Sequence, residues 1–132
     1  YGCKSANIIL IFNLNFMSTE ISKIRKISAW VISGLLTGLF LFSAFGKFTQ
    51  PEMMEGMKLG DWRIIIAIGE AVSALLFLVP RTSFYGTLLL SSYMGGAIIL
   101  HMTGAQSIVM PSVVLVLVWV VALLRNPQYF KL

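Results

Sequence analysis

Charged residues fall in clumps along this chain, and long apolar stretches run between the clumps. From Ile27 to Gly46 no side chain carries a charge. At about 1.5 Å per residue, a helix of that length crosses a hydrocarbon layer roughly 30 Å thick. This defines span one, 27–47. Span two, 62–79, is WRIIIAIGEAVSALLFLV, interrupted in its interior only by Glu70 and closed by Pro80 and Arg81. Between Thr82 and Leu124 the only group that titrates near neutral pH is His101. It separates span three (83–100) from span four (108–124), with HMTGAQS as the turn and Pro111 near the first turn of the last helix, where a missing amide proton costs little. The pattern predicts an all-α protein, an integral membrane four-helix bundle over residues 17–132.

Composition sharpens this. Apolar residues make up 58% of the 132 and charged residues only 11%, against about 25% charged in ordinary soluble domains. So few charges cannot cover the surface of a soluble fold this small, which argues against a soluble globular enzyme. Disorder, a disulfide-stapled domain and a coiled coil are excluded by the same apolar excess, the single Cys3 and the lack of heptads. The net charge of +5 does not predict nucleic-acid binding, because the basic residues are scattered between apolar blocks.

Their distribution instead sets an orientation. With four spans, both termini and the loop between spans two and three share one side, which carries Lys4, Lys23, Arg25, Lys26, Arg81, Arg125 and Lys131. The opposite side has Lys47, Lys58 and Arg63, offset by Glu52, Glu55 and Asp61. The positive-inside rule places both termini in the cytoplasm. Trp30, Trp62 and Tyr129 suit an interfacial aromatic belt, whereas Trp119, inside span four, is expected to pack between helices. Residues 1–16 precede Met17, a plausible native start, and their IILIF run is too short for a span or signal peptide. They are read as a non-native or disordered extension. In the loop after span one, Met53, Met54 and Met57 have the spacing of one apolar face of a short surface helix.

Helices in lipid associate where small residues let backbones approach. Gly34/Gly38, Gly69/Ser73, Ser91/Gly95 and Ser92/Gly96 predict a tight core of spans one to three, with span four more exposed to lipid or paired with another subunit.

Glu70 is the strongest chemical signal. Counting 11 residues from Arg81 puts it about 16 Å from the cytoplasmic boundary, where an unpaired charge costs on the order of 2.5 to 3.5 kcal/mol. It is expected to face the bundle, either paired or protonated. The same depth on the antiparallel span three falls at Ser92 and Tyr93, whose hydroxyls are the nearest candidate partners. A structural interhelical hydrogen bond would serve the same residues. Lys47 and His101 end their spans in the leaflet above Glu70. Each can simply meet water, with Lys47 snorkelling, or the two can form the mouth of a pocket with Glu70 at its floor. No metal-ligand set, Ser-His-Asp triad, phosphate loop, haem-attachment motif or dinucleotide fingerprint is present.

GLFLFSAFGKF (38–48), the LG at 59–60, IGE (68–70), LVPRT (78–82), GTLLLSSYMGGAIILH (86–101) and WVVALLR (119–125) follow one another in an order that resembles the DoxX-like family of small bacterial four-span membrane proteins. The resemblance covers about residues 27–125. Span one reads SAFGK where a pattern such as SGxxK is expected. It implies an inner-membrane bundle, with Lys47, Glu70, Arg81, Tyr93, Gly95, Gly96 and His101 as site or packing positions, joined by Gly46, Pro80 and Trp119. The family takes its name from a membrane subunit of a thiosulfate:quinone oxidoreductase. The expected function is an accessory component that binds a quinone or other lipid beside a redox partner protein, or as a homo-oligomer; the chain alone is not expected to be an enzyme. The alternatives are a membrane subunit of a quinone-linked oxidoreductase and a small proton-coupled transporter or channel.

Overall fold

The computed structural model describes residues 2–56 and 58–130, with the side chains of Met53, Tyr129 and Phe130 left aside. Met57 and Lys131, both used above, lie outside the described residues, as do the side chains of Met53 and Tyr129. Among the described residues there are helices and no strand. The helices are α1 (Gly2–Thr49), the short α2 (Pro51–Glu55), α3 (Arg63–Leu78), α4 (Ser83–Thr103) and α5 (Val109–Arg125), with single 3-10 turns at Gly60–Trp62 and Pro127–Phe130.

The four long helices pack in a ring, α1 on α3, α3 on α4, α4 on α5 and α5 back on α1. Leu36, Phe40, Phe77, Leu90, Met94, Val114, Val118 and Val121 form the core between them. Their spacing follows the helical period, so each helix gives one stripe inward and leaves large side chains such as Leu35, Phe42, Ile65, Ile99 and Val116 exposed. By length and composition α1 and α4 can cross a hydrocarbon layer. At 16 residues α3 is shorter than the predicted span two, because Trp62 is taken into the preceding 3-10 turn and α3 stops at Leu78, short of Pro80; α5, at 17 residues, has the predicted length, one position further along.

Three further features bear on the packing. Residues 2–26 continue α1 as helix, exposed along nearly their whole length. Helix α5 gives three buried valines to the core and is the most lightly packed of the four long helices, in line with the expectation for span four. And the small-residue pairs do not make the close approaches expected of them. A Cβ added at Gly34, Gly38, Gly46, Gly69, Gly95 or Gly96 would meet nothing within 4 Å, whereas at Gly86 it would fall 2.2 Å from the Phe77 amide nitrogen. That glycine is where the α4 backbone crosses against α3.

Candidate functional site

Glu70 sits midway along α3, 1% exposed. Two other helices, α1 and α4, bring polar groups near it. Lys47, in the last turn of α1, donates from Nζ to Glu70 Oε2 at 2.5 Å and to Ser43 Oγ at 2.8 Å. Tyr93 of α4 stands beside this pair. Its ring stands edge-on to Phe40, with centroids 6.4 Å apart, and has the Lys47 ammonium 5.5 Å from its centroid.

Lys47 is therefore no snorkelling residue. Side chains on a helix lean toward its N-terminus, and for a residue at the end of α1 that direction is down the bundle toward Glu70. The pairing answers what the buried carboxylate requires, since removing a charge from water costs several kcal/mol unless a partner and further hydrogen bonds compensate. Ser43 fills another of the ammonium's three donor positions. Lys47 keeps 12% of its side-chain surface exposed, so the cluster is reached from the α1 side.

The other predicted site residues are placed differently. Ser92 is exposed and points away, because one residue along a helix is a 100° rotation and only Tyr93 of the two faces α3. His101 is half-buried, with Nδ1 2.8 Å from the Ala97 carbonyl oxygen of its own helix, while Lys47 turns inward to Glu70. Pro80 and Arg81 are exposed in the α3–α4 connection, Gly96 is exposed, and Gly46, Gly95 and Trp119 are half-buried. Among the described residues no three His, Cys, Asp or Glu side chains are grouped to hold a metal ion.

A second polar cluster, at the opposite end, escaped the sequence reading. Arg125, the last residue of α5, donates from its guanidinium to the carbonyls of Phe77 (2.6 Å) and Leu78 (2.9 Å) and to Ser33 Oγ at 3.3 Å. It also lies 5.2 Å from the Trp30 ring centroid. It caps the final turn of α3, where unpaired carbonyls and the negative end of the helix dipole favour a cation. Beside it Asn126 donates to Ser83 Oγ at 3.2 Å. The available signal was a basic residue ending an apolar helix, but its partners are 47 or more positions away and nothing local names them.

Fold and site thus define an all-helical, strongly apolar bundle with a charged pair buried at mid-height. The DoxX-like family profile matches residues 31–122, and the chain belongs to that family. No curated protein and no solved structure gives a significant match. Family membership and the apolar helices together point to a membrane protein.

Proposed function

We propose that the chain is a multi-pass membrane four-helix bundle of the bacterial cytoplasmic membrane with both termini on the cytoplasmic side. In this reading it is an accessory component that binds a lipid-soluble ligand with a polar head, a quinone or another lipid, at Glu70, Lys47 and Tyr93, beside a redox partner protein. The observation that carries this reading is the Lys47–Glu70 pair buried between α1 and α3, with Tyr93 of α4 beside it. Intramembrane ionisable groups are costly and as a rule functional, and replacing a buried pair by apolar residues is often neutral or stabilising, so packing alone gives little reason to keep one. The Lys47 ammonium and Tyr93 hydroxyl can donate to a carbonyl oxygen of the ligand, and Glu70 can take or return a proton.

The orientation rests on the basic residues. Lys23, Arg25, Lys26 and Arg81 belong to the same end as Arg125, which ties the closing turn of α3 to Ser33 near the base of the packed part of α1.

The test is mass spectrometry of the organic extract from gently purified protein, wild type beside Glu70→Gln. A quinone or other lipid retained by the wild type and lost from the folded variant supports the reading. Equal extracts from two folded proteins overturn it.

A further inference from the structure

Between the two polar clusters lies a buried hydroxyl with no partner. Thr37 Oγ1, on a residue 4% exposed, makes no hydrogen bond among the described residues. Its surroundings follow from the register of the antiparallel pair α1 and α3. Arg125 bonds both Ser33 and the Phe77 carbonyl, so those two positions share a level. Four residues further along each helix, Thr37 stands opposite Ser73, which is also buried. Ser73 donates to the Gly69 carbonyl at 2.6 Å and keeps its own acceptor positions. Glu70 is three residues from Ser73 on the same face of α3, a neighbour at about 5–6 Å between Cβ atoms. On α1, Ser33 is four residues from Thr37 on the other side.

From this juxtaposition we infer that the α1–α3 seam holds an ordered water molecule between Thr37 and Ser73, which joins Glu70 to the Ser33–Arg125 end. A buried water is stable where two to four polar groups need it, and an unmade hydrogen bond on a buried hydroxyl costs on the order of 1–3 kcal/mol. Thr37 and Ser73 supply two such groups and the carbonyls of the two helices a third. The file of hydroxyls gives Glu70 a proton contact with the Arg125 end. A proton entering past Ser33 is passed by the hydroxyls and the water, each accepting one and releasing another, and comes to rest on the Glu70 carboxylate. Neutralising the carboxylate frees the Lys47 ammonium. The groups facing Glu70 are Lys47 from α1 and Tyr93 from α4, while α5 carries no titratable side chain before Arg125.

This rests on Glu70 being the proton-handling group proposed above, and the experiment separates the two. Protein reconstituted in vesicles is given an acid jump on the Arg125 side, and the infrared band of the protonated carboxyl, assigned by its loss in Glu70→Gln, is followed in time. Thr37→Val, which keeps the shape and removes the hydroxyl, is expected to slow the band's appearance at least about tenfold, Thr37→Ser to restore it, and ligand retention to stay as in wild type. Density for a water between Thr37 and Ser73 in a high-resolution structure, absent in Thr37→Val, supports the same conclusion. Equal rates in wild type and Thr37→Val overturn the path, as does high-resolution density without that water. A Thr37→Val protein that keeps the wild-type rate but still retains the lipid overturns the path alone, leaving the ligand reading intact.

Discussion

The two ends of the bundle solve the same problem, a cation among apolar helices, in opposite ways. Arg125 is met by backbone carbonyls and one hydroxyl, groups that neither titrate nor move without unwinding α3. Lys47 is met by a carboxylate, which can be neutralised by one proton. The first arrangement is a fixture and the second can change state. This is why chemistry is assigned to the Glu70 end although the Arg125 end makes as many contacts.

The comparison breaks most severely at Gly86. A Cβ there would collide with the α3 backbone at Phe77, the residue whose carbonyl Arg125 holds, and backbone cannot yield as a flexible side chain can. Gly86→Ala is expected to cost about 3 kcal/mol or more and to lower the thermal midpoint in detergent further than any other substitution named here.

Next in size is Glu70→Leu, which strands the Lys47 ammonium in an apolar interior at a cost of about 3–5 kcal/mol. The double variant Lys47→Met/Glu70→Gln is expected to recover most of the lost stability, as read by chemical denaturation in mild detergent. Failure to recover would mean that the carboxylate is needed for packing and not for its charge.

Arg125→Met removes the cap on α3 and is expected to cost about 1–3 kcal/mol, with faster amide exchange confined to the last turn of α3. Arg125→Lys should recover only part, because an ammonium lacks the planar fork that reaches two successive carbonyls and Ser33 together. No second-site change of a charged residue is expected to rescue either variant, since the partners are backbone; that contrast with the Glu70 double variant is the sharpest form of the comparison.

The smallest effect is predicted at Gly34→Ala and Gly38→Ala. Both positions are open, and replacing a helical glycine by alanine there should leave stability unchanged or raise it by about 0.4–1 kcal/mol each. A large loss would show that this face of α1 is covered by a second copy of the chain.

Much of this was legible in the pattern of residues. The helices follow from charge-free stretches, and the shared level of Glu70 and Tyr93 follows from counting away from Arg81 along two antiparallel helices. The direction of Lys47 was legible in principle too, since the lean of side chains toward a helix N-terminus is fixed once the sense of α1 is known. Ser92 and Tyr93 could not be separated by depth, only by rotation, which depends on where the core lies. The glycine pairs misled because spacing records which residues share a face, not which face is covered. Gly86 drew no notice for the converse reason, having no glycine or serine four residues away. Arg125 and Thr37 were out of reach, because what each one meets, or fails to meet, is decided by helices far apart in sequence.

The Arg125 cap also bears on how the chain is made. Synthesis proceeds from α1 onward, so the closing carbonyls of α3 leave the ribosome long before the guanidinium that satisfies them. Until residue 125 emerges, the first three long helices stand together with an open base. The last turn of α5 then acts as a latch, and a nascent chain truncated before it is expected to be recognised as unfinished by membrane proteases.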